Sequence, residues 1–156
     1  MSETKPAIRP LAGNRRALHD YFVHERLEAG LVLTGTEVKS CRMGKIQLKE
    51  GHVLFRGGEA FLAGVHISPY SHGPRDNPPP DRERKLLLSR REIDRLSGRA
   101  QAKGFTVVPL SMYLKGDRVK VEIALVQGKK LFDKRETERR RELDREAAAA
   151  LRGERD

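Results

Sequence analysis

The chain has 156 residues, one cysteine and no tryptophan; this length fits one domain with tails, and a single thiol excludes an internal disulfide framework and a four-cysteine zinc site. With 32 Lys and Arg against 22 Asp and Glu the net charge is +10, which favours a polyanionic partner, although interleaved charges of both signs also make a solvated surface. No apolar run is long enough to span a membrane, no secretory signal opens the chain and no basic amphipathic helix carries aromatic anchors, so no membrane partner and a cytoplasmic location are expected.

Residues 1–13 contain Pro6, Pro10 and Gly13 without a hydrophobic period and read as a disordered leader. From 19 to 33, Tyr21, Val23, Leu31 and Leu33 fall at odd positions around Glu28-Ala29-Gly30. That pattern predicts two extended pieces joined at a bend. Thr34 and Glu37 have capping-box spacing, so a short helix is expected to about Arg42, stopped by Gly44. Residues 53–62 read as a hairpin turned by Gly57-Gly58, its second strand continuing through Val65 and Ile67. Five of the eight prolines fall from Pro69 to Pro80, which makes a long exposed loop. Residues 85–88 lead into a second capping box, Ser89 with Glu92. Ile93, Leu96 and Ala100 then form one apolar stripe on a helix ending near Gly104, with Arg91, Arg95 and Arg99 opposite. Residues 106–114 and 118–126 form another hairpin around 115–117. Val119, Val121, Ile123 and Leu125 alternate with polar residues, Lys120 and Glu122 among them, the period of a strand with one wet face.

About six strands, mostly joined by hairpins, with two helices predict a mainly β, α+β fold. The expected shape is a small antiparallel barrel or strongly curled sheet with flanking helices over residues 14–127. Residues 128–156 hold ten basic and eight acidic side chains but few large apolar ones. They are rich in helix formers from Glu136 onward and lack a stripe to dock on the body. This tail is expected to be disordered alone and helical on a partner.

Catalytic candidates are weak. The histidines at 19, 24, 52, 66 and 72 lack the spacing of a helical zinc site. His66 reads as a hydrogen-bonded surface residue. Lys39, Arg42 and Lys45 would lower the pKa of Cys41, but without a base it reads as a small packing residue. Glu37 as a cap and Glu28 as a local surface group are more economical than a carboxylate pair. No Gly-rich phosphate loop is present. Enzyme, metal and cofactor are therefore not expected. The arginine-bearing helix lies among strands and is no helix-turn-helix, and aromatics at 5% disfavour broad base stacking. Recognition of RNA shape and backbone by Lys, Arg and polar groups fits better. A general ribosome- or RNA-binding basic protein without a dedicated RNA is the alternative reading.

An ordered set of motifs narrows this. Asn14-Arg15-Arg16-Ala17, Glu28-Ala29-Gly30 and residues 35–40, with Arg42 and Gly44-Lys45, are followed by residues 84–88, Glu92-Ile93, Lys103-Gly104 and residues 106–108. The set ends in Gly128-Lys129-Lys130 and Asp133-Lys134-Arg135. In this order and spacing, over residues 14–145, the chain resembles the SsrA-binding protein family, also called small protein B. The resemblance implies a small barrel of the oligonucleotide-binding type and a role in trans-translation without catalysis of its own. It implies binding to the tRNA-like domain of transfer-messenger RNA (tmRNA, SsrA RNA) and its delivery to ribosomes stalled on messages lacking a stop codon. Alanyl-tRNA synthetase and elongation factor Tu are implied as partners through that RNA.

By the same resemblance Asn14, Glu28, Leu87 and Lys120 are RNA-binding positions, and Lys39, Arg42 and Lys45 extend the positive surface. Glu28 would accept from a ribose hydroxyl or base N–H, or orient a nearby Arg; Leu87 would meet an unstacked base edge and Lys120 a phosphate. Gly128, Lys129, Lys130, Phe132, Asp133, Lys134 and Arg135 match the start of a tail that enters the decoding centre and the vacant mRNA channel. Phe132 stands where an aromatic or His is placed to stack on a ribosomal base.

Overall fold

The computed structural model describes residues 7–71 and 77–151; within 130–135 only the backbone is described. The elements run β1 (Ile8–Gly13), α1 (Arg15–Asp20), β2 (Tyr21–Leu31), α2 (Gly35–Arg42), β3 (Ile46–Gln47), β4 (His52–Arg56) and β5 (Glu59–Ala63). They continue β6 (His66–Ile67), β7 (Arg84–Leu87), α3 (Arg90–Ala100), β8 (Phe105–Lys115), β9 (Arg118–Gly128) and α4 (Lys129–Leu151). Seven strands form one antiparallel sheet in the order β1-β8-β9-β2-β7-β5-β4, and β3 pairs with β6 in a second, two-stranded sheet.

The α+β class with flanking helices is as expected, but the large sheet stays open. It curls until β4 packs against β8, yet β1 occupies the outer edge of β8 in the hydrogen-bonded order. Residues 8–13 are thus a paired strand rather than disordered leader. The strand carries its own irregularity between Pro10 and Ala12, where proline supplies no N–H to the ladder. The inner face of the curl holds the core, with Leu48, Leu62, Leu86, Leu96, Met112, Val121, Ile123 and Leu125 among its most buried members.

Three further departures have local causes. Glu28-Ala29-Gly30 does not bend the chain. It lies inside the eleven-residue β2, because ladder pairing with β9 along nearly its whole length overrides the local turn preference. The irregularity sits earlier, between Val23 and Glu25. Second, α1 was not anticipated; Asn14 caps it by accepting from the Ala17 N–H. Third, β5 stops at Ala63, where Gly64 adopts φ +71° at a point at which an added β-carbon would collide with the Glu50 carbonyl. The chain then turns, and Ile67 pairs with Ile46 in the small sheet.

The local signals held where they were strong. Both capping boxes form, Thr34 with Glu37 on α2 and Ser89 with Glu92 on α3. Gly57 and Gly58, both at positive φ, close the β4–β5 hairpin. The β8–β9 hairpin turns at Gly116-Asp117, slightly tighter than expected. Within the proline loop, residues 72–76 lie outside the described part; Asn77 ties it back by exchanging hydrogen bonds with the Tyr70 backbone.

Candidate nucleic-acid interface

Antiparallel partners share a face of the sheet. Glu28 opposes Glu122, and Gly30 opposes both Lys120 and Leu87. Lys120 in turn opposes Tyr113. These residues therefore stand together on the outer face, behind the buried Ala29, Leu86, Met112 and Val121. Glu28, Leu87 and Lys120, far apart in sequence, are brought onto one surface of β7, β2 and β9.

Glu28 is the electrostatic centre of this surface. The Tyr113 hydroxyl donates to Oε2 of its carboxylate, and Lys115 Nζ lies 3.1 Å from Oε1. The Tyr113 hydrogen bond holds the Glu28 carboxyl below the usual carboxylate range; partial burial opposes this, and Lys115 and Lys120 reinforce it. Burial and the Glu28 charge push the Tyr113 hydroxyl upward, so it remains a donor at neutral pH. Lys120 has no ion-pair partner among the described residues.

Leu87 is 55% exposed although it sits in an apolar run. Core packing is therefore not its role; its neighbours Leu86 and Arg84 take the inward positions. It lies over Gly30, where an added β-carbon would stand 3.2 Å from Leu87 Cβ and Cδ1. Glycine in a strand interior marks a close approach of this kind. Gly30, Leu87 and Lys120 line a shallow cavity that reaches Val38 of α2.

The helix α2 is fixed by a buried charge cluster. Glu37 is 3% exposed and Arg84 is fully buried. Arg84 Nε donates to Glu37 Oε2 at 2.8 Å, while its other nitrogens donate to the carbonyls of Val65 and Pro80. Arg82 Nε adds two further bonds to the same carboxylate. Burial pushes the Glu37 carboxyl up, but hydrogen bonds from Arg82, the Thr34 backbone and Arg84 outweigh it and hold it below its ordinary value. Lys39, Arg42 and Lys45 are exposed on and just after this helix. Lys39 stands over the Tyr70 ring at 5.4 Å, and the Arg42 carbonyl accepts from Arg9 at 2.7 Å.

One expectation needs correcting. Asn14 is buried, not part of the exposed face. Its Nδ2 donates to the carbonyls of Pro109 and Leu48, its backbone N–H donates to Leu110, and its Oδ1 caps α1. Proline at 109 and a register shift between Pro109 and Ser111 interrupt the β8 ladder, and Asn14 satisfies the carbonyls left there. Cys41 is fully buried, the packing role expected of it, and burial above all pushes its thiol up to about 12, so Lys39, Arg42 and Lys45 do not activate it. Among the described residues no group of three His, Cys, Asp or Glu side chains stands close enough for a metal. His66 is half-buried and bonds Asp81 at 3.0 Å, the surface role expected of it.

At the tail root, Gly128 ends β9 and donates to the Gly104 carbonyl. Lys129 turns back onto the body, with Nζ 3.4 Å from the Leu18 carbonyl and 5.6 Å from the Phe22 ring centre. The side chains of Lys130, Phe132, Asp133, Lys134 and Arg135 lie outside the described ones. From Glu136 to Leu151 no side chain of α4 is buried.

Tyr113, Lys115 and Gly30 were missed as site residues. Tyr113 was read as part of a strand, and Gly30 as a bend and as the end of the Glu28-Ala29-Gly30 motif, without a site role of its own. No sequence signal marked them, because the Gly30–Leu87 and Tyr113–Lys120 pairings exist only once the strands are laid side by side.

The fold and this face define a small basic α+β module whose outer sheet surface presents a braced carboxylate, an exposed leucine and one lysine, Lys120, without an ion-pair partner among the described residues. The profile of the family described as SmpB protein matches residues 11–153. An SsrA-binding protein of Pelobacter propionicus is 55% identical over 141 residues, covering 90% of this chain and 93% of that protein. One from Coxiella burnetii is 53% identical over 148 residues, covering 94% and 93%. A chain in the solved structure described as "tmRNA-SmpB: a journey to the center of the bacterial ribosome" superposes with a TM-score of 0.66 at 45% identity, over 77% of this chain and 85% of that one. The chain belongs to the SsrA-binding protein (SmpB) family. No helix among its described residues is long and apolar enough to cross a membrane.

Proposed function

We propose that the chain binds tmRNA in trans-translation and delivers it to ribosomes stalled on messages without a stop codon. The body, from β1 through β9, takes the tRNA-like domain on the face built by Glu28, Leu87 and Lys120, with Lys39, Arg42 and Lys45 as a positive rim. The exposed Leu87, seated over Gly30 beside the braced Glu28, is the observation that carries this reading. An apolar side chain held out in solvent beside an acceptor and an unpaired ammonium suits an unstacked base, a hydroxyl or base N–H, and a phosphate. Neither catalytic chemistry nor a cofactor is needed. Alanyl-tRNA synthetase and elongation factor Tu act through the RNA.

The tail from Gly128 onward senses the empty decoding centre and mRNA channel. A basic, helix-prone segment orders along an RNA-walled channel only where message is absent, since both cannot occupy it. Lys129 is the exception within the motif, because its contacts with Leu18 and Phe22 suit a root that aims the tail.

The test is binding to the isolated tRNA-like domain beside an unrelated hairpin of equal length, across a salt series. A preference for the tRNA-like domain that persists as salt rises is the expected result. Parallel curves without a gap would leave only a general RNA-binding protein driven by counterion release. Truncation after Gln127 is expected to keep this binding and abolish peptide tagging.

A further inference from the structure

We infer that Tyr113 is a positioning residue for RNA recognition, which holds the Glu28 carboxylate in the orientation that accepts from a ribose hydroxyl or a base N–H. The inference rests on the reading of this face as RNA-binding. Its ground is geometric. Glu28 is on β2 and Tyr113 on β8, with β9 between them. Two strand spacings separate their backbones, roughly 10 Å, so the two side chains meet only by reaching over β9. Tyr113 opposes Lys120 and Glu28 opposes Glu122, so the bond arches diagonally across the intervening strand. Lys115, two residues further along β8, closes the other side of the carboxylate.

This bond adds little to the fold. Both flanking strands are already laddered to β9 over most of their length, and the carboxylate is 37% exposed, where such interactions are weak. What the bond does is orient a charge. A free glutamate here would swing among rotamers and turn its charge on approaching phosphates. Held by Tyr113 and neutralised by Lys115, the carboxylate keeps unused lone pairs for a donor and repels less. A ligand presenting a hydroxyl or N–H donor next to a phosphate is the chemistry that satisfies both Glu28 and Lys120.

Dissociation constants for the isolated tRNA-like domain of tmRNA, at one salt concentration, are to be measured for wild type, Glu28→Ala, Tyr113→Phe and the double variant. Tyr113→Phe keeps the ring and removes the donor. It is expected to weaken binding about tenfold, the scale of a hydrogen bond to a charged group. The double variant is expected to bind no more weakly than Glu28→Ala alone, since the hydroxyl acts through the carboxylate. In the free protein the titration of the Glu28 side-chain carboxyl, followed by NMR, moves to higher pH in Tyr113→Phe. Unchanged affinity in Tyr113→Phe, or an equal loss with and without Glu28, overturns the assignment. Should Tyr113→Phe also lower the melting temperature, the Glu28 titration in the folded protein decides, and an unmoved midpoint overturns it. Wild-type affinity in Glu28→Ala would instead bring down the RNA reading of the face itself, and this inference with it.

Discussion

Gly30 matters for an atom it lacks. A β-carbon there presses on two atoms of Leu87 at 3.2 Å, so Gly30→Ala must tilt the leucine away from β2. Such crowding costs about 1 kcal/mol or somewhat more, and it falls on the exposed leucine rather than on the core. RNA affinity measured by titration is expected to drop several-fold, with a melting temperature close to wild type. The opposite pattern belongs to Glu37. Glu37→Gln leaves buried Arg84 without its charge partner, and loss of one member of a buried pair costs about 3–5 kcal/mol, to be read from urea denaturation. The pH dependence has a definite sign. The folded-state carboxyl is held below its ordinary 4.5, so its stabilisation is complete above that value and drains away as pH falls below it. Denaturation midpoints across pH 3–6 should slope less steeply in Glu37→Gln than in wild type. The cap between Thr34 and Glu37 was legible because its partners are three residues apart. The arginines that share the same carboxylate are 45 and 47 residues away, and no local pattern announces them.

Elements show the same division. The capping boxes and the Gly57-Gly58 hairpin are local chemistry and were read correctly. β2 was divided in two because alternation and a glycine are ambiguous until a partner strand is in place. Its irregularity between Val23 and Glu25 aims Glu25 at α3, where Arg95 and Arg99 both pair with it. Of the three arginines placed opposite the apolar stripe, two are engaged in holding the helix to the sheet. Arg95 and Arg99 remain nearly half exposed, so the clamp is modest. Glu25→Ala is expected to lower stability by about 0.5–1 kcal/mol. Most of the loss from Arg99→Ala should vanish in the Glu25→Ala background, as a double-mutant cycle in urea will show. β1 was overlooked for a similar reason. A strand with a proline and one irregularity has little period of its own, and its identity comes from the edge of β8.

At the scale of the whole molecule, charge and composition pointed to a basic RNA-binding body, and hairpin-joined strands pointed to a curled antiparallel sheet. Whether the curl closed was not legible, because closure is decided by which strand takes the last edge of β8. The tail adds helix without adding core. Truncation after Gln127 is therefore expected to leave the melting temperature within a few degrees of wild type, while far-UV circular dichroism loses any helical signal α4 contributes. A large fall in melting temperature would mean that the tail packs on the body.

The tail grows from β9, an inner strand of the sheet. Tyr21 pairs opposite Gly128 and Phe105 opposite Gln127, so both neighbours grip the strand up to the residue where the tail begins. A mechanical load on the tail therefore enters two ladders at once and shears them together, instead of peeling one edge bond at a time. The body is built as an anchor, and in single-molecule stretching from the tail it should yield in one high-force step, whereas a pull applied through edge strand β1 should unzip gradually.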